Sequence, residues 1–399
     1  MRRMLCSLLM VFVIAALAPY MAAQSVQYKV IPIMSPYDAS DSVVGNDMNS
    51  AGTLPLTAIH SGQHEPFISR SGTSIPLSLL GGTCGSAVGI NHAGHVVGGA
   101  CLPGETVVHA YVYSKKNTQD LGTFGGISAA GTGINRYGKI AGIYELSDGT
   151  EHSFYWTLKG WTDIGNLGGS FTWTTHLNDS GVVTGQSDVS NDPDPVFGIP
   201  PFHGFQWSAG VLTDFGQIFG SNFNYGFGIN KTGMIAGSAD VAGDAGAHAI
   251  IWYQGTVRDL SPYDNISAGG IGINNLGDVV GSWGSVDPDP ADGPPIDTIL
   301  CPCYAVLWHD GQAIFLNDVV PAEWNLWLGM AINDRGEILA RAQFNGGKLQ
   351  TVLLQPIKTG SHLIRGGSGV NMSQRATSYP LSAPRRLQRQ HGSGYQELR

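Results

Sequence analysis

Seven copies of one short pattern recur along this chain: an apolar residue, Asn, two variable residues, Gly and then an apolar run. They are Met48-Asn49 with Gly52, Ile90-Asn91 with Gly94, Ile134-Asn135 with Gly138, Leu177-Asn178 with Gly181, Ile229-Asn230 with Gly233, Ile273-Asn274 with Gly277, and Ile332-Asn333 with Gly336. The Asn-to-Asn steps are 42, 44, 43, 52, 44 and 59 residues. A period of this size marks a repeat architecture in which each unit is one supersecondary element.

Asn-x-x-Gly has a mechanical meaning. A type I turn favours Asn or Asp at its first position and Gly at its fourth. Gly there accepts the left-handed conformation that closes a hairpin. The residues that follow, such as Val96-Val97-Gly98 and Val279-Val280-Gly281, read as the returning strand. Downstream of each hairpin comes a further apolar segment, often opened by His and closed by Trp: His109-Ala110-Tyr111, His152 to Trp156, His203 to Trp207, His248 to Trp252, and Tyr304 to Trp308. A few residues later stand Asp120-Leu121-Gly122, Asp163-Ile164-Gly165, Asp214-Phe215-Gly216 and Asp259-Leu260, read here as the first strand of the next unit.

Four short strands repeated seven times predict an all-β fold, a seven-bladed β-propeller of four-stranded antiparallel blades. Gln27 to Ile33 supply the first strand of the first unit, and Thr351 to Ile357 the last strand of the seventh. A β-solenoid is the alternative, but solenoids carry atypical capping repeats, and none is evident.

These blocks resemble the HAF repeat family of extracellular bacterial proteins. The resemblance rests on the His-aromatic-Trp segments, Asp-Leu-Gly, and Gly-Ile-Asn-x-x-Gly-x-Val-Val-Gly. It covers nearly all of the chain after the leader and is strongest in units two to six. Phe67-Ile68-Ser69 and Leu349-Gln350-Thr351 replace the His segment in units one and seven. The resemblance implies an exported repeat protein and no particular activity.

Export is also the reading of the first 23 residues. Arg2 and Arg3 precede the apolar run Leu8 to Ala18, and Met21-Ala22-Ala23 offers small residues before Gln24, the order of a secretory signal peptide. No later apolar stretch is long enough for a membrane helix. The expected organisation is a signal peptide over 1–23, the repeat domain over 24–357 and a disordered basic tail over 358–399. The tail holds seven Lys and Arg against one acid, and the repeat domain 12 basic against 29 acidic residues, net −17. Such a domain lacks the basic footprint that nucleic acid demands. A secreted monomer is expected, extracellular or periplasmic.

The repeated His residues, His109, His152, His203 and His248, are expected to hydrogen-bond a neighbouring backbone or the Asp of the following strand. Metal ligation needs three or four groups converging on one ion, and separate blades hold these four apart. Cys84 and Cys101 lie equally far from the centre of the second hairpin turn, so they face each other and are predicted to form a disulfide, which export permits. Cys301 and Cys303 are either a local disulfide or two free thiols.

Departures from the repeat point to function. Asn191 to Pro201 and Ser285 to Cys303 are long insertions on the face that also carries Phe171, Trp173, Phe223, Tyr225, Tyr263, Trp324 and Trp327. Trp173, Tyr225, Tyr263, Trp324 and Trp327 are the candidate ligand-binding residues, for a glycan or an extracellular protein partner. The competing reading is that these rings seal gaps between blades. Asp287, Asp289 and Asp292 before Gly293 are the candidate calcium ligands, although the loop lacks the alternating ligands and closing Glu of an EF-hand. No other cofactor is expected. No nucleophile elbow, zinc-protease helix or phosphate loop occurs. The expected function is therefore a non-enzymatic binding or scaffold module. The alternative is a propeller enzyme, a lyase or hydrolase acting on extracellular polysaccharide.

Overall fold

Hydrogen bonding at each Asn-x-x-Gly segment dictates where a sheet begins. In the computed structural model, which describes residues 27–357 except 61, 105–106, 116, 196, 244–245, 263–266 and 285–302, the amide of Gly138 donates to the Asn135 carbonyl at 3.0 Å. The Asn135 side-chain oxygen accepts from the amides of Tyr137 and Lys139, both at 3.0 Å. The turn glycines all lie in the left-handed region, Gly138 at φ 75° and Gly277 at φ 90°, where a Cβ would be strained. Each turn joins the innermost strand of a sheet to the second.

Seven four-stranded antiparallel sheets result, with almost no helix. The third sheet is typical: Ser128–Ile134, Ile140–Glu145, Glu151–Thr157 and Gly160–Asp163. Its innermost strand is wholly buried and its outermost strand largely exposed. Apolar clusters fill the spaces between sheets. Val97 and Ala110 of the second sheet, for example, pack on Ala129, Ile140 and Phe154 of the third. A mixture of branched aliphatic and aromatic side chains on both sides of every sheet is what lets the blades stack face to face.

The strand order corrects the phase read from sequence. The Asp-Leu-Gly segments are not first strands of the next unit but the outermost strands of the sheet just completed: Asp163 pairs with Phe154 and Asp214 with Phe205. The cause is local. Two-residue turns such as Ala209-Gly210 and Gln254-Gly255 have both φ values positive, and turns of that kind fold a strand straight back on its predecessor. The longer segment after the Asp then crosses to the next sheet.

The ring closes on the same principle. Gln27–Pro32, expected in the first unit, pairs instead with Leu349–Ile357, Val30 opposite Leu354. It completes the seventh sheet, whose other strands are Trp324–Ile332 and Ile338–Phe344. The first sheet starts at Ser42–Val44. One blade is thus assembled from both ends of the repeat domain.

The glycine of the Val-Val-Gly block has a packing role. A Cβ on Gly142 would collide with the Ala130 carbonyl and the Phe154 ring, and one on Gly185 with the Trp173 carbonyl. At this level the innermost strand shifts register by one residue, between Gly131 and Gly133 and between Thr174 and His176. A bulge of this kind turns the inner strand into its neighbour, and at Gly142 and Gly185 no side chain fits beneath it.

Candidate functional site

Strand direction sorts the loops. Connections between second and third strands, and between one sheet and the next, emerge on one face, the loop face. The Asn-x-x-Gly turns lie on the other, the turn face. Most of the repeated polar residues are engaged in holding the scaffold together. His109, His152, His203 and His248 each place Nδ1 2.8–3.0 Å from the Asp of the adjacent outer strand, Asp120, Asp163, Asp214 and Asp259 respectively. Three of these Asp side chains also accept from the Gly two residues on, at 2.6–2.7 Å. Burial opposes ionisation of Asp163, but the Tyr144 hydroxyl, the Gly165 amide and His152 outweigh it and hold the carboxyl below its ordinary range. Burial, with the bonded Asp163 beside it, pushes the Tyr144 hydroxyl well up.

The loop face of the fourth and fifth blades is built on aromatic rings. Phe202, Phe223, Tyr225 and Phe227 form one buried cluster, and the fourth-blade insertion returns to it through Phe197 and Ile199. Phe197 meets Phe223 edge-on at 4.8 Å, and Phe202 meets Tyr225 at 4.5 Å. The insertion is pinned at its base by the Val189 amide on the Pro201 carbonyl at 2.9 Å. At its tip the Asp194 carboxylate accepts from the Phe197 amide at 3.1 Å. Tyr225, an expected contact residue, lies inside this cluster at 8% exposure.

Trp173 is different. It occupies the same inner-strand level as Tyr225, opposite Gln186 as Tyr225 is opposite Ser238. It is only half-buried and stacks on Phe171 at 5.9 Å with an 18° tilt. Trp327 sits in a second register shift peculiar to the seventh blade, between Leu326 and Leu328, and is also half-buried. Trp324 packs against Phe344 at 5.0 Å. The indole N–H of Trp327 and the amide nitrogen of Gln186 are buried without a hydrogen-bond partner. Tyr263 and the candidate calcium ligands Asp287, Asp289 and Asp292 lie outside the described residues. No group of three or more His, Cys, Asp or Glu that could hold a metal occurs among the described residues.

Cys84 and Cys101 are joined, their Cα atoms 5.4 Å apart, and Cys303 is buried and disulfide-bonded too. No helix among the described residues is long and apolar enough to cross a membrane.

The axis of the ring holds a pair that the sequence reading missed. His176 Nε2 of the fourth blade lies 3.6 Å from Asp47 Oδ1 of the first. Both stand two residues before their anchor Asn. The same slot holds Gly89, Gly133, Gly228, Gly272 and Ala331 in the other blades. Superposing the repeats on their anchors shows these two as the polar exceptions, and that signal was available in the sequence.

No family model matches the chain, and no curated protein matches it in sequence. Solved structures resemble it in fold. A catalytically inactive virginiamycin B lyase from Staphylococcus aureus with quinupristin aligns over 83% of this chain and 100% of its own, at 12% identity and a TM-score of 0.49. An acylaminoacyl peptidase from Pyrococcus horikoshii aligns over 82% of this chain at 11% identity and a TM-score of 0.50. This chain spans 54% of that peptidase. Likeness at such identities is a likeness of architecture, and one fold hosts many chemistries.

Proposed function

We propose that this chain is an exported repeat protein of the HAF type that acts by binding, using the loop face of its fourth, fifth and seventh blades to hold an extracellular glycan or a protein that carries one. The observation that carries this reading is Trp173, a half-buried indole stacked on Phe171 beside an insertion anchored by its own hydrogen bonds and aromatic contacts. A sugar offers a C–H face to such a ring and hydroxyl oxygens to nearby donors. The unpartnered N–H groups of Gln186 and Trp327 are donors of the required kind, since a buried polar group without a partner costs free energy that a ligand oxygen recovers. Export is supported by the disulfide of Cys84 and Cys101, a bond that persists in oxidising compartments.

The test is retention of the protein on immobilised polysaccharides, with wild type compared to Trp173→Ala and Trp327→Ala. Loss of retention in both variants, with unfolding midpoints held, supports the site. Retention unchanged by either removes these rings from it.

A further inference from the structure

The anchor asparagines do more than close their own turns. The side-chain amide of Asn49 donates to the Asn91 carbonyl at 3.0 Å, Asn91 to Asn135 at 3.0 Å, and Asn135 to Asn178 at 3.1 Å. Asn178 then donates to Asn230 at 3.1 Å, Asn230 to Asn274 at 3.2 Å, and Asn274 to Asn333 at 3.3 Å. This belt links each blade to the next, and all seven side chains are buried. It is one bond short of a circle. Asn333 turns its amide to Glu337 Oε2 at 2.7 Å and to Met48 Sδ at 3.6 Å, so the seam between the seventh and first blades has no link of this type. The inner strand of the first blade is three residues long and that of the second two, against six to nine in the others.

The slot two residues before each anchor follows the axis. A Cβ on Gly89 would lie 2.9 Å from the Gly133 Cα, and one on Gly272 2.9 Å from the Ala331 Cα. The innermost strands therefore touch here, and small residues are needed. The first and fourth blades are not neighbours, so a contact between Asp47 and His176 must cross the axis. Asp47 is held for it: its Oδ2 accepts from the Ile90 amide at 2.8 Å and its Oδ1 from the Met48 amide at 2.7 Å. His176 keeps 32% of its side chain accessible, so its proton exchanges with solvent.

We infer that His176 and Asp47 form a proton-operated brace that spans the axis and holds the first blade in the ring in place of the missing belt bond. While the imidazole carries its proton, the pair is ionic and the seam is secured. When the proton leaves, the brace slackens and the first blade is the part of the ring that opens most readily.

Among the described residues, Asp47 is the charged group that bears on the His176 ring; the other axial slots hold Gly or Ala, and the Phe227 carbonyl is its remaining polar neighbour. The charges of the seam face elsewhere: Arg335 pairs with Glu337 at 2.5 Å, and Arg341 donates to the Val43 carbonyl at 2.7 Å. Burial works against the charge on His176, while Asp47 and the Phe227 carbonyl more than offset it and raise its affinity for a proton. A histidine raised in the folded state contributes stability that is fully present below its unfolded value and is lost as pH rises through its folded value.

Hydrogen exchange tests the brace in the full chain. Protection of the Ile90 amide and of segment 42–58, corrected for intrinsic rate, is followed from pH 5.5 to 8.5 (about the span in which histidines titrate). The expected result is a loss on the order of tenfold, about what one polar contact to a charged group contributes, with the equivalent Ile134 unaffected. His176→Gln should then show low protection at every pH. A wild-type response that is flat, or that His176→Gln leaves in place, overturns the inference. Should the variant fail to fold, the wild type decides alone. The NMR titration of the His176 ring and the loss of protection at Ile90 must share one midpoint, and separate midpoints overturn the brace.

Discussion

The side-chain amide of Asn91 donates to the backbone carbonyl of Asn135, 3.0 Å away in the next blade, while its own carbonyl oxygen accepts from the His95 amide at 2.9 Å within the turn. One side chain thus shapes a hairpin and ties it to its neighbour. A residue with both a donor and an acceptor on a short stem is required. Asp would keep the turn and lose the tie.

Asn135→Ala should therefore destabilise more than loss of a turn residue alone. It takes one of two donors from the Asn178 carbonyl, which keeps the Gly181 amide, and removes the side-chain acceptor of the part-buried amides of Tyr137 and Lys139. A cost of about 3 kcal/mol is expected from three hydrogen bonds lost at once. The urea midpoint measures it, with the slope unchanged. A cost below about 1 kcal/mol would mean that the belt contributes little beyond the turn.

Two glycines separate backbone strain from crowding. Gly138 has φ 75° and open space where a Cβ would stand, so Gly138→Ala should cost about 1 kcal/mol through conformation alone. Gly142 would drive its new methyl into the Ala130 carbonyl and the Phe154 ring. Gly142→Ala should cost about 3 kcal/mol. Thermal unfolding of the two variants side by side checks the order, and the reverse order would contradict this account of the inner-strand bulge.

The disulfide closes a sequence separation of 17 residues. A loop of that length predicts about 3 kcal/mol of stabilisation. The double variant Cys84→Ser with Cys101→Ser isolates it from Cys303, and its melting point in oxidising buffer should fall to that of the reduced wild type at this bond. An unchanged melting point would show that the second hairpin holds without it.

The His–Asp pairs predict acid sensitivity. Burial opposes the Asp214 charge, yet His203 and the Gly216 amide hold its carboxyl below the ordinary range, and Asp163 behaves likewise. A depressed carboxylate stabilises the fold above its unfolded value and loses that contribution as pH falls through the folded one. The melting temperature should therefore drop steeply below about pH 4, where free carboxylates protonate. Asp163→Asn with Asp214→Asn should flatten that limb while lowering stability at neutral pH. An unaltered acid limb would assign the sensitivity to other groups.

Much of the fold is legible because it is local. Asn-x-x-Gly specifies its turn by the conformations of four residues. Cys84 and Cys101 flank one hairpin. In blades two to five the His of the third strand meets an Asp eleven residues on because a two-residue turn brings them side by side. The aromatic face is only partly legible. Composition marks Trp173 and Tyr225 alike, yet packing leaves one half-exposed and buries the other at 8% exposure, since only the latter has Phe202 beside it.

By itself the sequence determined the number of blades, their hairpins, the disulfide between Cys84 and Cys101 and the all-β class, because each follows from short-range sterics repeated seven times. Only the tertiary structure decided which strands share a sheet, that Gln27–Pro32 closes the seventh blade, that the anchor asparagines form a belt, and that His176 meets Asp47 across the axis. These depend on closing the ring, which brings together residues far apart in the chain, and no periodicity within one repeat carries the distance across the centre.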